Sequence, residues 1–519
     1  MSKADTNAKS RRRRRQRPST AAIAQLPIRQ LRNRFEPVAA LDAEQLELVH
    51  QASLELLEDM GIEVLGEKAL ALFRQAGADV GEDGIVCLDR SLVQQCLDNV
   101  SGAFTLSSRN PERNILVGEN VLNFGLVSGP PNVHDNVNGR RAGNFADYQT
   151  LIKLGQSFNV ISIFGNQALA PTDLPVDTRH LDTSLCNLTL SDKVFLATGI
   201  GAGRAMDAAQ MCAIARGVSL EEMALTPSAS TNININSPRK LDDAMAYGAM
   251  QMSALGQAVV VTPFTLMGAM TPATMAGALV QQNAEALFGV CLTQLVRPGA
   301  PVVYGGFTSN VDMRSGAPAF GTPENSLANM AGGQLARKYN LPYRTSACSA
   351  SNAVDAQAAY ETQMALWGAV MGHGNMIYHA AGWMEGGLVA SFEKLVVDVE
   401  MLQGMSAMLQ PLKIDTAEIG LDAMREVGPG GHFFGCEHTM ERYKTAFHEP
   451  IISDWQNHEN WQLAGAKDAH SRATELWQKT VDNFVEPPLD VARKEQLEAY
   501  VAKRKEHIGK HKLQWEPEL

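Results

Sequence analysis

The feature that most constrains the fold is an alternation between short apolar runs and longer amphipathic runs, repeated eight times between Val121 and Leu409. The short runs have the length and composition of buried strands, and the longer ones carry apolar residues at helical spacing. Strands that alternate with helices predict a parallel sheet, and eight such units are the number that closes a (β/α)8 barrel. An open doubly wound sheet has the same alternation and is the alternative.

The predicted elements follow one another without a long gap. The strands are expected at residues 121–129, 160–169, 193–201, 224–234, 258–268, 301–309, 341–350 and 375–382. The helices are expected near residues 145–158, 176–190, 206–216, 240–255, 271–296, 323–339, 355–372 and 391–409. The dipeptides Ser237-Pro238, Thr271-Pro272 and Thr322-Pro323 each place a capping residue before a proline, which predicts a helix start.

Length and flanking composition predict four regions. The 519 residues exceed what a barrel needs, so we expect additional segments on both sides of it. The class expected is α/β, a TIM (β/α)8 barrel with an N-terminal α+β cap and a C-terminal helical extension. The regions are a disordered basic tail over 1–36, the cap over 37–115, the barrel over 116–410, and a lid loop with a helical extension over 411–519. The helical sequence over 464–485 suits either a dimer contact or packing on its own barrel.

Composition excludes several classes of protein. The net charge is −11, and basic residues cluster only in the N-terminal run Arg11–Arg15, which argues against nucleic acid as the main ligand. No apolar run of membrane-spanning length and no signal-peptide pattern are present, so no membrane association is expected. The seven cysteines lack paired spacing. They predict reduced thiols and a cytoplasmic protein.

The chemistry of a TIM barrel lies at the C-terminal ends of its strands, and here those ends are aromatic, amide-bearing or glycine-rich. Asn166, Gln167 and Asn234 supply amides, and five rings are candidates for binding a bulky cation through their faces: Phe264, Tyr304, Phe307, Tyr378 and Trp383. Each ring taken alone also suits the core or lid of the barrel. Glu361, at the start of the seventh helix, is a candidate to balance a cation, although such carboxylates usually complement the helix dipole.

Other catalytic patterns are missing. Strand ends carry no carboxylate pair, no HExxH zinc motif and no P-loop, and GIGAG over 199–203 is only a partial dinucleotide fingerprint. His432, Cys436 and His438 lack a fourth ligand, so this segment is interpreted as a lid loop that touches the substrate. No metal site is predicted, and no catalytic residue is assigned.

Three blocks of sequence resemble the trimethylamine methyltransferase (MttB-type) family. They are AFGTPENSLANMAGGQLARKYNLPYR (319–344), DAQAAYETQMALWGAVMGHGNMIYHAAGWMEGGLVASFEKLVVDVEM (355–401) and EVGPGGHFFGCEHT (426–439). The resemblance implies a TIM barrel that moves a methyl group from a methylated amine to the cobalt of a partner corrinoid protein. Founding members of the family carry pyrrolysine. This chain contains no non-standard residue and therefore resembles the branch that includes glycine betaine methyltransferases.

The expected function is therefore methyl transfer from a quaternary amine, glycine betaine or a related compound, to the Co(I) of a corrinoid protein. The corrinoid (cobalamin) is expected on the partner, with no cofactor tightly bound to this chain, and the chain is expected to form a homo-oligomer. A substrate carboxylate would be held by Arg314, Arg344, His379 or Asn234. The alternatives are methyl transfer to folate without a corrinoid, trimethylamine as the substrate, a non-catalytic quaternary-amine binding protein, and a metal-dependent hydrolase.

Overall fold

Eight parallel strands form a closed barrel in the computed structural model, which describes residues 23, 25–165 and 167–518. Each strand pairs with the next along the chain, and the last pairs with the first. The strands are β1 (Val121–Leu126), β2 (Ile161–Gly165), β3 (Val194–Ala197), β4 (Ala229–Ile233), β5 (Ala258–Val261), β6 (Val302–Gly305), β7 (Tyr343–Ser346) and β8 (Met376–Ala381). The closed barrel is confirmed, and the open sheet is excluded. The predicted strand-end residue Asn166 and the run Arg11–Arg15 lie outside the described residues.

A helix follows each strand and packs on the outside of the barrel. These helices are α1 (Phe145–Ser157), α2 (Arg179–Leu190), α3 (Ala202–Arg216), α4 (Asp243–Ala254), α5 (Met275–Val296), α6 (Pro323–Lys338), α7 (Ala356–Met371) and α8 (Phe392–Met408). A further short helix, Leu220–Leu225, follows α3. All eight predicted helices are present, with ends that differ from the prediction by a few residues, because apolar periodicity locates a helix better than it locates its ends.

One of the three predicted helix starts is confirmed. The Thr322 hydroxyl accepts a hydrogen bond from the backbone N–H of Asn325, so α6 begins at its proline as expected. The other two predictions are wrong. Ser237 instead donates its hydroxyl proton to Glu285, 2.5 Å away, and α4 begins six residues later behind Asp242. Thr274 rather than Thr271 caps α5. In both cases the chain first makes a turn held by other contacts.

The lower half of the barrel interior is filled. A hairpin formed by Ala103–Leu106 and Ile115–Gly118 packs its apolar residues against the side chains that the strands direct inward. These inward side chains include Ile163, Val194, Leu196, Val260, Val303 and Met376. A packed core therefore closes this end of the barrel interior, and the interior opens at the opposite end, where the strands terminate.

The N-terminal elements cover the α4 and α5 side of the barrel. Leu31–Arg32 pairs antiparallel with β1. Three helices follow: Ala43–Glu55, which continues into a π-helical turn over Leu56–Met60, then Glu67–Gln75 and Arg90–Leu97. The short strands between them are Ile62–Val64, Asp79–Val80 and Ile85–Cys87. The strand Lys240–Leu241, from the barrel, completes their sheet. The Phe73 ring lies 4.7 Å from that of Phe288 on α5, so these elements share a core with the barrel.

Two small sheets raise the rim above the barrel strands. In the first, Phe264–Met267 pairs with Phe307–Val311, which pairs with Pro318–Ala319. The second contains Asn132–Asp135, Gly139–Ala142, Trp383–Met384 and Val389–Ser391. Both sheets continue directly from barrel strands, so they carry aromatic side chains to the edge of the barrel mouth.

The C-terminal segment wraps the outside of the barrel. Its short helices are Thr416–Ile419, Leu421–Val427, Glu437–Arg442 and His458–Leu463, and its long helices are Ala469–Asp482 and Val491–Lys510. The Trp477 ring lies 5.0 Å from that of Phe392 on α8, so the helix predicted over 464–485 packs on its own barrel. None of the helices in the described ranges combines the length and apolarity needed to cross a bilayer.

Candidate active site

A cavity of about 250 Å³ opens at the C-terminal ends of the strands, where the sequence places the chemistry. Four of the five predicted rings line it, and so do the predicted residues Gln167, Asn234, Arg344 and His379. The full lining is Ser128, Gly129, Gln167, Leu196, Asn232, Asn234, Thr262, Phe264, Phe307, Arg344, Tyr378, His379 and Trp383. Among the described residues, this lining contains one cationic side chain and no carboxylate.

Arg344 is the charge in the wall of the cavity. It comes from β7, and only 2% of its surface is exposed. The guanidinium carbon lies 4.9 Å from the centre of the Phe307 ring and 4.8 Å from that of Tyr378. Two of the rings expected to surround a substrate cation therefore already hold a cation that belongs to the protein. Cation–π contacts of this kind stabilise a desolvated guanidinium by about 2 kcal/mol.

Arg344 has no acidic partner among the described residues. One terminal nitrogen donates to His379 Nε2 at 3.1 Å, the other lies 3.4 Å from the carbonyl oxygen of Gly306, and Nε has no partner. Burial lowers the pKa of Arg344 to about 10, so the side chain remains protonated at neutral pH. A buried cation without a counter-ion is unfavourable, and a ligand that supplies an anionic group would remove that cost.

His379 faces the cavity because of its backbone conformation. Adjacent residues of a regular strand point to opposite faces, yet Tyr378 and His379 both line the cavity. The φ of His379 is 56°, a left-handed value that turns the ring inward, and the pairing of β8 with β1 is irregular at this position. Such a conformation costs on the order of 1–3 kcal/mol in a residue other than glycine. The surrounding packing therefore maintains this orientation.

His379 is neutral, since burial and then the charge of Arg344 keep its pKa well below the ordinary value. Because Nε2 accepts from Arg344, the ring proton is assigned to Nδ1, which has no partner among the residues described. The indole N–H of Trp383 also has no partner in the described part of the chain. Together with Arg344 Nε, these buried groups make the cavity rich in hydrogen-bond donors.

Aromatic and amide side chains complete the wall. The Phe264 ring is half-buried and lies 5.0 Å from that of Phe307, and Trp383 meets Phe307 edge-on at 6.0 Å. Phe320, which sequence reasoning missed, supports both Phe307 and Trp383 from behind. Asn232 donates to the Asn234 side chain at 3.0 Å. The cavity therefore combines a cationic, donor-rich wall with neutral rings and amides.

Three predicted site residues lie away from the cavity. Tyr304 is fully buried between the barrel and α5, where its hydroxyl donates to Asn283 at 3.0 Å. The Glu361 carboxylate accepts hydrogen bonds from the Ser349 hydroxyl and from the backbone N–H groups of Ala350 and Ser351, at 2.8–3.0 Å. Glu361 thus shapes the loop after β7. Arg314, proposed as a carboxylate-binding residue, is exposed and does not line the cavity.

A buried ion pair on α8 supports the Trp383 side of the site. Lys394 and Asp398 contact each other one helical turn apart, and each side chain is only 1% exposed. The second carboxylate oxygen of Asp398 accepts a hydrogen bond from the backbone N–H of Gly382 at 2.8 Å. Sequence reasoning missed this pair, because a lysine four residues before an aspartate on a helix is usually a surface contact.

The segment with His432, Cys436 and His438 does not reach the cavity of its own chain. His432 is exposed, Cys436 Sγ lies 3.3 Å from the Thr439 hydroxyl, and His438 Nε2 lies 3.1 Å from the Ala417 carbonyl oxygen. Within the described residues, no group of three or more histidine, cysteine, aspartate or glutamate side chains is arranged to hold a metal ion. This segment therefore contributes no side chain to the lining of the cavity in its own chain.

Comparisons with known proteins point to one family. The family model described as trimethylamine methyltransferase (MTTB) matches residues 7–509. A glycine betaine methyltransferase of Desulfitobacterium hafniense (strain Y51) is 34% identical over 473 residues, which cover 90% of this chain and 98% of that protein. A proline betaine:corrinoid methyltransferase of Eubacterium limosum is 27% identical, over 88% of this chain and 96% of that protein. The trimethylamine methyltransferase MttB of Desulfitobacterium hafniense (strain DSM 10664 / DCB-2) is 26% identical, over 91% of this chain and 95% of that protein.

Proposed function

Since the chain belongs to the trimethylamine methyltransferase (MttB) family and is a methyltransferase, we propose that it demethylates a quaternary amine that carries a carboxylate. The substrate is glycine betaine or a close relative, and the acceptor is the Co(I) of a corrinoid protein. The names of two relatives, a glycine betaine methyltransferase and a proline betaine:corrinoid methyltransferase, support this choice.

The observation that carries the proposal is the buried Arg344, which has no acidic partner in the described part of the chain. A betaine carboxylate supplies the missing negative charge. Its oxygens would accept hydrogen bonds from Arg344 Nε, His379 Nδ1 and the Trp383 indole N–H, which belong to lining residues and are buried without a partner among the described residues. Charge-assisted hydrogen bonds of this kind are about twice as strong as neutral ones. Trimethylamine has no carboxylate and would leave Arg344 unpaired, so the site favours a betaine over trimethylamine.

The methylated nitrogen is assigned to the neutral part of the cavity, beside Phe264 and the ring of Trp383. When the methyl group leaves, the electron pair of the C–N bond stays on nitrogen and the positive charge there disappears. A carboxylate beside the nitrogen would stabilise the substrate more than the transition state and would slow the transfer. Rings and amides hold the cation more weakly, which agrees with the absence of carboxylates from the described lining.

The corrinoid's Co(I) supplies the nucleophile that accepts the methyl group. The cavity of about 250 Å³ is smaller than the pockets of about 300–1,000 Å³ that enclose drug-sized ligands. A corrinoid is larger than such ligands, so the cofactor is expected to remain on its own protein and to approach the open mouth. The role of this chain is to bind the amine, orient one N-methyl group toward the mouth and exclude water from the cavity.

Calorimetric titration with glycine betaine and with trimethylamine tests the substrate assignment. Replacing Arg344 by methionine is expected to weaken glycine betaine binding at least ~30-fold, because loss of one member of a buried charge pair costs about 2–5 kcal/mol. The Arg344→Lys variant should keep part of the affinity, and the exposed Arg314→Met variant should match the wild type. Unchanged glycine betaine affinity in a folded Arg344→Met variant would contradict the proposal, as would wild-type binding of trimethylamine as tight as that of glycine betaine.

The acceptor is tested separately, by incubating the enzyme and glycine betaine with cob(I)alamin or with tetrahydrofolate. Methylcobalamin and dimethylglycine should form together in the first reaction, and no product should form in the second. Product formation with tetrahydrofolate alone would replace the corrinoid acceptor by a folate. Betaine binding without product in either reaction, even with the cognate corrinoid protein present, would instead support a binding protein.

A further inference from the structure

We infer that residues 411–450, here called the arm, dock onto a second copy of this chain. The surface that receives the arm is an exposed apolar stripe on α6 and α7, here called the helix stripe and formed by Leu327, Tyr360, Met364 and Trp367. This contact is independent of the substrate and acceptor proposed above. It assigns a role to a segment that does not reach the cavity of its own chain.

Polar contacts within the arm order it, but few of its apolar side chains are buried. The Glu418 carboxylate accepts from Lys413 at 3.2 Å and contacts Arg442 at 3.6 Å, and the His438 ring bonds to the backbone of the first short helix. Among the large or small apolar residues of the arm, only Ala423 and Cys436 are buried. A segment of this length cannot offset its own ordering entropy with so small a core, so it needs another surface to pack against.

The apolar side chains of the arm are in solvent instead. Ten large ones are between 44% and 85% exposed, and Phe434 and Phe447 are at the upper end of this range. The set is Leu412, Ile414, Ile419, Leu421, Met424, Phe433, Phe434, Met440, Tyr443 and Phe447. Soluble monomers rarely expose contiguous apolar patches of more than a few hundred Å², and larger ones mark interfaces. At on the order of 100 Å² each, ten such side chains reach the ~800 Å² that a stable interface buries on each partner.

The helix stripe is the matching surface on the barrel. Tyr360, Met364 and Trp367 are spaced by four and three residues, so they lie on one face of α7, with exposures of 62%, 45% and 38%. Leu327, 47% exposed, extends this face onto the adjoining helix α6. On most helices that surround a TIM barrel the outward face is polar, so an apolar outward face indicates that something covers it.

The position of the two surfaces favours a second copy as the occupant. The arm begins just after α8, and α8 packs beside α7, so the arm and the helix stripe lie on the same side of one molecule. A two-fold axis between two copies would place each arm against the other copy's stripe and bury both surfaces at once. A different protein would need one surface complementary to the arm and another complementary to the helix stripe.

Sedimentation velocity and light scattering at micromolar concentration test the contact. The wild type should have at least twice the chain mass of 56.2 kDa. An arm variant, Phe434→Ser with Phe447→Ser, and a stripe variant, Met364→Ser with Trp367→Ser, should each associate at least 10-fold more weakly. The control, Leu225→Ser with Val485→Ser, changes side chains that are 80% and 77% exposed outside both surfaces, and its mass should match the wild type. Calorimetric binding of glycine betaine, or the thermal transition if betaine does not bind, establishes that each variant is folded.

Hydrogen exchange provides a second measurement that does not rely on substitutions. Amides over 421–449 and 356–371 should become protected together as the wild-type protein is concentrated. A wild type that stays monomeric throughout would overturn the inference, and so would a folded arm variant that keeps the full assembly. A stripe variant that assembles normally would overturn the assignment of the stripe. An arm that becomes protected only when a corrinoid protein is added would show that the occupant is a different protein.

Discussion

At the scale of single residues, two buried ionisable side chains show how burial changes chemistry. Arg344 belongs to the cavity and has no acidic partner within the ranges that the structure describes, whereas Glu285 on α5 accepts several hydrogen bonds and lies outside the cavity. The Glu285 carboxylate accepts hydrogen bonds from Ser237, from the backbone N–H of Arg239 and from Gln281. Burial outweighs these contacts and raises the pKa of Glu285 to about 7.

The raised pKa of Glu285 predicts a loss of stability with rising pH. The folded protein holds this proton more tightly than the unfolded chain, whose ordinary glutamate pKa is 4.5. The stabilisation of the folded state by proton binding at Glu285 is therefore complete below about pH 4.5 and disappears as the pH rises through about 7. Between pH 5 and pH 8 the unfolding free energy of the Glu285→Gln variant should fall less than that of the wild type, by a few kcal/mol. Urea unfolding at pH 5 and pH 8 measures it, with the exposed Glu324→Gln as control. An equal pH dependence in wild type and Glu285→Gln would contradict the prediction.

At the scale of elements, helix α8 positions the Gly382–Trp383 turn through the buried pair Lys394–Asp398. Asp398→Ala leaves the Lys394 ammonium without a counter-ion, with the Thr362 hydroxyl as its remaining partner, and removes the acceptor for the Gly382 N–H. We expect the unfolding free energy to fall by about 3–5 kcal/mol, and ligand affinity to fall because Trp383 loses its support. The double variant Lys394→Met/Asp398→Asn should recover most of the stability, since no buried charge remains and the amide oxygen still accepts from Gly382.

Denaturant unfolding and calorimetric titration measure these effects. The exposed pair Glu506–Lys510, also one helical turn apart, is the matched control, and Lys510→Ala should change stability by less than about 1 kcal/mol. If Asp398→Ala were as mild as Lys510→Ala, α8 would not position the turn in the way described.

At the scale of the whole molecule, the C-terminal helix Val491–Lys510 stabilises the side of the barrel formed by α2 and α3. Arg504 and Tyr500 donate to Asp207, which is 1% exposed and also bonds to His180. Burial alone would raise the pKa of Asp207, but the hydrogen bonds from His180, Arg504 and Tyr500 keep it below the ordinary value. After the helix, the backbone carbonyls of Gln514 and Trp515 accept the first N–H groups of α3.

Arg504→Met should therefore lower the unfolding free energy by roughly 2–4 kcal/mol and expose the C-terminal helix to proteases, because it removes the charged partner of a buried carboxylate. Thermal unfolding and limited proteolysis measure the two effects. Lys503→Met is the control, since Lys503 is the exposed neighbour on the same helix. Equal stability and equal cleavage rates in the two variants would contradict the role of Arg504 in holding the C-terminal helix.

A feature of the fold or of the candidate site could be predicted from the sequence when it depends only on residues that are neighbours in the chain. Strand and helix periodicities are local, so the number and order of the barrel elements followed from the sequence, as did Phe264, Phe307 and Trp383 at the strand ends. Which strand residue faces inward is not local when the backbone is irregular. Tyr304 points to α5, whereas His379 turns into the cavity because of its left-handed φ. The predicted cap at Ser237 failed because its hydroxyl bonds to Glu285, 48 residues away.

The sequence by itself determined the closed eight-stranded barrel, the strand ends at which the aromatic cavity opens, and the family to which the chain belongs. These depend on composition and on periods of two and 3.6 residues, which every segment carries with it. Only the tertiary structure decided that Arg344, one of four candidates for a carboxylate-binding residue, is the buried charge between Phe307 and Tyr378. The reason is that desolvation and the presence or absence of a counter-ion depend on which distant strands and helices surround a group.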